Sequence, residues 1–499
     1  MKFYAVAIGR IPGIYTTWAE AQEQTRGYMG AKFKSFLTKE EAEEYMAANP
    51  VPPLGEPFDT SVLNEEQKVA FEAVMSGKSV FITGPGGTGK SYLLQSIYKN
   101  YRIVTGKVLA VTAMTGCAAL LLGPWAKTLH SWAGIGLGRT PVDAVVSYIK
   151  GDHRKKKRWM STGCLVIDEV SMLTPALLEY LDEVGRRVRN SPRPFGGIQM
   201  VFVGDFYQLP PVASDSQKAA FAFQSPLWDT VVEESILLKQ IIRQKDPVFQ
   251  VILNEARTGT LSPESYAALE ARKKNEWKRQ EIKPTLLFTK NHDVASINAA
   301  QLNKLSTECR VFLAKTVARP PRMTAETLEM VVAKLDKDAP YETELHLKVQ
   351  SQVMLLTNQD PTEGLVNGSR GIITGFSAGG CPIVKFVNGK TVTVAPAEWS
   401  SETDTEADAV KREQIPLRLA YALTIHKAQG ASLDSALIDV GESTFEYGQA
   451  YVALSRVRSM EALYIFDIKP GSFRANPAVA AFYRKIEAVV EPDDEHSPQ

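Results

Sequence analysis

Cysteine is scarce in this 499-residue chain: four residues, at positions 117, 164, 309 and 381, with no C-x-x-C pair. Such spacing argues against a zinc module or a disulfide framework and fits a reducing compartment. Long apolar runs are missing too, since nothing approaches the roughly 18–20 residues needed to span a bilayer. The N-terminus has no hydrophobic leader core. Charge of one sign is also lacking: 57 Lys+Arg against 56 Asp+Glu leave a formal net of +1. Near-neutrality is still compatible with a basic groove balanced by acidic surface elsewhere. Internal repeats and low-complexity tracts are absent. What remains reads as a soluble, intracellular globular protein of three or four domains.

The most informative stretch is Val80-Phe81-Ile82-Thr83-Gly84-Pro85-Gly86-Gly87-Thr88-Gly89-Lys90-Ser91. A buried strand runs into a Gly-rich turn that opens a helix at Tyr92, the full spacing of a P-loop. Gly84, Gly86, Gly87, Thr88 and Gly89 let backbone N–H groups wrap a triphosphate, and the helix N-terminus adds partial positive charge. Lys90 reaches the β- and γ-phosphates, and Ser91 offers a hydroxyl to Mg²⁺. ATP and Mg²⁺ are therefore the expected cofactors. Upstream, Gln67 is placed to read adenine with its amide, although a surface glutamine is the default reading.

Further motifs follow in order. Val108–Thr112 is a buried strand, and Ala113–Ala119 opens a helix. Thr112, Thr115 and Gly116 sit where hydroxyls and N–H groups can hold a nucleic-acid phosphate. His130, in Thr128–Trp132, reads either the same way or as a satisfied core histidine. Cys164–Glu169 is an apolar strand ending in two acids. Asp168 is expected to hold Mg²⁺ and Glu169 to polarise the attacking water. The strand from Gln199 leads into Gly204-Asp205-Phe206-Tyr207-Gln208-Leu209-Pro210-Pro211-Val212. Gln208 is placed to sense the γ-phosphate, and the rigid turn from Pro210 to Val212 to press on a nucleic-acid strand. Arg243 and Arg456, far apart in the chain, are expected to stabilise a transferring phosphoryl group. The basic run Arg154–Arg158 reads as a solvated surface, a DNA contact or a nuclear signal.

Together these motifs resemble the superfamily-one helicases, specifically the PIF family and its RecD-type relatives. The resemblance covers about residues 60–470 and includes Thr424-Ile425-His426-Lys427-Ala428-Gln429-Gly430 and Tyr451–Arg458. It implies an α/β fold with two RecA-like parallel-sheet lobes, ATP in the cleft, single-stranded DNA across both lobes, and 5′→3′ movement. It also implies that Thr424, His426 and Lys427 face the strand, that Gly430 approaches the nucleotide, and that Asn358 ends near the DNA path.

In the second lobe, Pro284–Asn291 reads as a strand followed by a helix over 293–302. Residues 315–345 read as a mobile excursion, and Leu347–Asn358 as one strand. Short strands with Gly-rich turns over 365–394, including Asn388-Gly389, read as a small β-barrel or as a decorative hairpin.

The first fifty residues read as a three-stranded sheet with two helices, Thr17 and Thr38 capping them. Residues 3–6, 9–18 and 31–36 resemble the hybrid-binding (viroplasmin-like) domain at the N-terminus of eukaryotic ribonuclease HI. By that resemblance Tyr4, Trp18 and Phe33 pack on the DNA strand of an RNA–DNA hybrid, with Lys32 and Lys34 near phosphate. Ser35 replaces a lysine usual in the family. Aromatic faces flanked by lysines suit nucleic acid, although such aromatics also serve as the core of a very small domain.

The expected layout is a hybrid-binding domain at 1–48, a linker at 49–60 and a first lobe at 61–240 with an inserted subdomain at about 133–160. A second lobe follows at 241–480 with its barrel insertion at about 364–415, then a tail at 481–499. The expected activity is an ATP-dependent 5′→3′ helicase, acting as a monomer on single-stranded DNA, duplex junctions and RNA–DNA hybrid, without membrane contact. It is expected in the nucleus, with the mitochondrion as alternative. A translocase that separates no strands and an idle nucleic-acid scaffold are the competing readings.

Overall fold

The computed structural model describes residues 2–8, 13–25, 32–48, 59–123, 125–136, 138, 140–211, 220–289, 291–321, 323–360, 363–401 and 409–490. Most of the expected linker, all of 49–58, lies outside them, as do Val212 and the terminal 491–499.

The first lobe is a six-stranded, all-parallel sheet. Its order is Ala126–Thr128, Val108–Ala113, Thr162–Asp168, Gln199–Gly204, Val80–Thr83 and Glu234–Leu237. Helices cover both faces, so the central strands are buried throughout instead of alternating; every residue of Val80–Thr83 and Gln199–Gly204 is buried. The strand ends come into register, Thr83 beside Gly204 and Leu237, and Ala113 beside Asp168. Functional loops therefore gather along one edge, where open parallel sheets bind ligands.

The second lobe has four parallel strands in the order Ala422–Thr424, Thr285–Phe288, Ala436–Val440 and Leu463–Ile468. Its core also takes Phe249, Ile252 and Leu253 from the helix Pro247–Thr258.

Between these strands the chain makes an antiparallel excursion larger than the 364–415 expected. Five strands, including Gln352–Leu355, Arg370–Phe376 and Leu417–Leu419, form one sheet, and two smaller sheets draw in Arg310–Leu313 and Lys315–Ala318. The segment 315–345, expected to be mobile, carries a strand and a helix among its described residues. Its helix Ala325–Asp338 is pinned where Arg412 donates to both oxygens of Asp336, at 3.0 and 2.9 Å. Leu347–Asn358 is not one strand: the Glu344–Leu347 and Gln352–Leu355 strands are separated by a turn in which Gln350 takes a left-handed conformation, φ 71°. Nor do the helices of 133–160 form a unit apart. Val145, Val146, Ile149 and Trp159 share a core with Leu165 and Ile167 of the sheet. Arg158 of the basic run donates to the Ser131 and Trp132 carbonyls, and Lys155 pairs with Asp152.

The expected C-terminal tail begins inside a helix. Pro477–Val490 returns from the second lobe to the first, sinking Val479, Tyr483 and Ile486 into its core and stacking Phe482 on Phe223 at 4.2 Å.

The N-terminal piece is a three-stranded antiparallel sheet, Gly13–Tyr15, Phe3–Ile8 and Lys32–Phe36, carrying Trp18–Thr25 and Lys39–Ala48. Both helices start with a Thr-x-x-Glu capping box. Thr17 accepts from the Glu20 N–H and Thr38 from the Glu41 N–H, while each glutamate reaches back to the cap. Buried Ala5, Ala7, Ala21 and Ala42 bring helix and sheet close without bulky side chains.

Candidate active site

The P-loop wraps one wall of a cavity of about 280 Å³ at the seam between the lobes. Gly86, Gly87, Gly89, Lys90 and Ser91 line it from the loop, Asp168, Glu169 and Gln208 from neighbouring strand ends, and Arg243 from the segment leaving the first lobe. Gly430 and Arg456 line it from the second lobe. Residues separated by more than 350 positions are thus brought to one hole where the two lobes meet. Thr88 is buried, its hydroxyl donating to the Pro85 carbonyl at 3.0 Å. Gly87 needs to be glycine twice over: its φ is +94°, and a Cβ there would meet the Gln244 Oε1 at 2.7 Å and the Arg243 Cβ at 2.8 Å. That closeness lets the Ile242 and Arg243 N–H groups bond the Gly87 carbonyl, at 2.8 and 3.1 Å.

The electrostatics call for an anion with a cation beside it. The Lys90 ammonium donates to the carbonyls of Gly84, at 2.6 Å, and Pro85, at 2.9 Å, and burial pulls it down to about 8. Burial, then the charge of Arg243, lowers Arg456 to about 10; Arg243 is itself lowered, chiefly by burial. On the other side, burial and the adjacent Glu169 push the Asp168 carboxyl up to about 7. Three strained cations around a hole fit a polyphosphate. A buried carboxyl destabilised in its charged form, near the Ser91 hydroxyl, is the hard-oxygen donor set that Mg²⁺ prefers. The residues present therefore fit both groups.

Across the seam, Arg456 is held by the Val452 carbonyl at 2.8 Å and the Ser455 hydroxyl at 2.7 Å. The Arg243 guanidinium reaches the Ser455 carbonyl at 3.5 Å. The Gly86 N–H donates to the Tyr451 hydroxyl at 2.7 Å, so the second lobe touches the phosphate loop directly. Beneath lies a clasp that the motifs did not announce. Asp205, fully buried, takes both prongs of Arg257 at 2.9 Å each, and the hydroxyls of Tyr483 at 3.1 Å and Tyr451 at 3.3 Å. Arg257 lies over the rings of Tyr207 and Tyr483, 4.5 and 4.9 Å from their centres. Asp205 was visible within its motif, but Arg257 ends an ordinary amphipathic helix and Tyr483 sat in the presumed tail.

Several residues expected at the ligands face their own backbone instead. Gln67 is 1% exposed; its Oε1 accepts from the Asn64 N–H and its Nε2 donates to the Thr88 carbonyl, so the amide caps a helix and props the P-loop. Thr112 faces no groove: it is fully buried with its hydroxyl donated to the Val166 carbonyl at 2.6 Å. Thr424 is likewise buried, turned to the Lys427 N–H as a helix N-cap. Pro210 is buried and presents no free face. Thr115 caps the helix that Gly116 begins, and His130 is half-buried. Asn358 is exposed and accepts from the Asn367 N–H; Lys427 is exposed, while burial lowers the pKa of His426.

On the N-terminal sheet, Trp18 lies 5.6 Å from Tyr4 and 5.6 Å from Phe33, centre to centre. Trp18 and Phe33 are 41% and 44% exposed, so this is an open aromatic face and not only a core. Lys34 alternates to the opposite face with Phe36, its ammonium 5.5 Å from that ring; only the backbone of Lys32 is described.

Comparison with known proteins matches the "PIF1-like helicase" family over residues 62–258, the "Ribonuclease H1 N-terminal domain" over 2–46, and the "DNA helicase Pif1, 2B domain" over 333–376. The human "ATP-dependent DNA helicase PIF1" is 38% identical over 455 residues, covering 90% of this chain and 68% of its own length. The crystal structure of Pif1 helicase from Candida albicans superposes with TM-score 0.70 at 35% identity, covering 85% of this chain and 99% of that one. Pif1 from Bacteroides, in complex with ADP-AlF3 and ssDNA, superposes with TM-score 0.61 at 29% identity, covering 86% and 98%.

Proposed function

This chain belongs to the PIF1-like family of ATP-dependent DNA helicases, and from that premise we propose that it moves 5′→3′ on single-stranded DNA and opens duplex or RNA–DNA hybrid ahead of it. The observation that carries the reading is the single cavity walled by the P-loop on one lobe and Arg456 on the other, with Arg243 between. The reading is supported by the Bacteroides Pif1 of similar overall fold, which is solved in complex with ADP-AlF3 and ssDNA.

In this mechanism the P-loop N–H groups and Lys90 receive the phosphates, Lys90 exchanging the Gly84 and Pro85 carbonyls for phosphate oxygens. Ser91 and Asp168 would hold Mg²⁺, which when bound would screen the phosphate charge. Glu169 takes a proton from water as its oxygen bonds the γ-phosphorus and the bond to ADP breaks, with Gln208 beside the γ-phosphate. Arg243 and Arg456 neutralise charge as it builds on the transferring group. Because Arg456 reaches the site from the lobe opposite the P-loop, ATP draws the lobes together and hydrolysis releases them. Each cycle advances the strand held by Thr115, Gly116, His130, Asn358, His426 and Lys427.

The proposed layout is 1–48 for the hybrid tether, 61–240 and 241–480 for the lobes. In the tether Tyr4, Trp18 and Phe33 stack on bases, a sequence-tolerant grip suited to a motor that must release. The chain is proposed to act as a monomer. Unwinding of 5′-tailed against 3′-tailed duplexes, on DNA and on RNA–DNA hybrid, tests the whole: strand release only from the 5′ tail is expected. Release from 3′ tails, or ATP hydrolysis with no strand release at all, contradicts it.

A further inference from the structure

One side chain on the second lobe reaches the carboxylate proposed as general base. The Gln429 Nε2 donates to the Glu169 Oε2 at 2.9 Å across the seam. Gln429 is 8% exposed, and its Oε1 is buried without a hydrogen-bond partner. An amide is not left half-satisfied in a buried place without cost, so the bond to Glu169 is what holds it there.

Both ends of this bond are constrained. Glu169 sits at φ 57°, ψ 44°, a left-handed conformation uncommon for a residue with a long side chain. Strain of that kind is sustained where surrounding contacts impose it, often at functional sites. Gln429 ends the short helix Ile425–Ala428, whose start is fixed by Thr424 and which carries His426 and Lys427. Its neighbour Gly430, φ +78°, lines the nucleotide cavity, and a Cβ there would meet the Leu121 Cδ1 of the first lobe at 2.9 Å. Arg456 brackets the same loop through the Ala428 and Ala431 carbonyls, at 3.4 and 3.3 Å. The loop is thus clamped between an arginine that lines the nucleotide cavity, the opposite lobe, and the carboxylate proposed as general base.

We propose that Gln429 is a positioning residue that aims the Glu169 carboxylate, so that the polynucleotide grip of His426 and Lys427 sets the alignment of the base one helical turn away. The proposal deepens the helicase reading and rests on it. Gln429 touches neither nucleotide nor attacking water in this role; it acts through Glu169 alone.

Gln429→Met keeps length and volume while deleting the donor. ATP turnover at saturating single-stranded DNA is expected to fall at least tenfold, with the KM for ATP and the affinity for DNA within twofold of wild type. The ratio of DNA-stimulated to unstimulated hydrolysis is expected to fall as well. A residue acting only through Glu169 loses its effect once Glu169 is disabled, so adding Gln429→Met to Glu169→Gln is expected to change the residual rate by less than twofold. Wild-type turnover in Gln429→Met, or an equal loss in both backgrounds, overturns the assignment, the second pointing to packing alone. A wild-type protein with no DNA-stimulated hydrolysis instead contradicts the function proposed above, and this inference falls with it.

Discussion

The seam between the lobes and the aromatic face of the N-terminal sheet are built on opposite principles. At the seam, charge is buried: Lys90, Arg243 and Arg456 are all held below their usual basicity, and the Asp168 carboxyl is pushed above its usual range. Among the described residues, the N-terminal face buries no charge and leaves large rings in solvent. Strained, desolvated groups are arranged to act on a ligand's charge as it changes, whereas open rings only bind. In the function proposed, the first region does chemistry and the second holds on.

The contrast can be broken from either side. Lys90→Ala should have the largest effect, lowering ATP hydrolysis by about a thousandfold or more, while binding to single-stranded DNA in filter or anisotropy assays stays near wild type. Next comes the clasp. Arg257→Ala leaves Asp205 buried and unpaired, a loss of about 3–5 kcal/mol in the stability of the motor measured by denaturant titration. A loss under about 1 kcal/mol would mean that the lobes do not depend on this pair. Trp18→Ala should cost about 1–3 kcal/mol in affinity for RNA–DNA hybrid and leave DNA-stimulated hydrolysis unchanged. Lys34→Ala should have the smallest effect, about 0.5 kcal/mol or less, because its ammonium lies on the opposite sheet face, over Phe36. A Lys34 effect as large as that of Trp18 would place the hybrid across the edge of the sheet.

How much of this was legible in the sequence follows from how far apart the partners lie. The P-loop, the acids at the end of Thr162–Asp168 and both capping boxes declare themselves within a few residues, because one strand end or helix start imposes their spacing. The aromatic trio was legible by resemblance, and strand register explains why it assembles: Val6 pairs with Phe33, and Tyr4 with Ser35. The Asp205 clasp was not, since its partners stand 52, 246 and 278 positions away and only the folded lobes bring them together. Thr112 and Thr424 misled for a related reason. A hydroxyl in a motif can face the ligand or its own backbone, and the sequence does not say which. The helix Ala325–Asp338 was concealed by surrounding prolines and charges, which hid an amphipathic stretch held from outside by Arg412.

The central claim is that one triphosphate is shared by two lobes, and single-turnover hydrolysis by Arg456→Ala tests it most directly. An arginine completing the site from the second lobe predicts a fall in the hydrolysis step of about 10³–10⁵, with ATP still bound and DNA still held. Hydrolysis at the wild-type rate would mean that the first lobe works alone, and that the seam does not drive the motor.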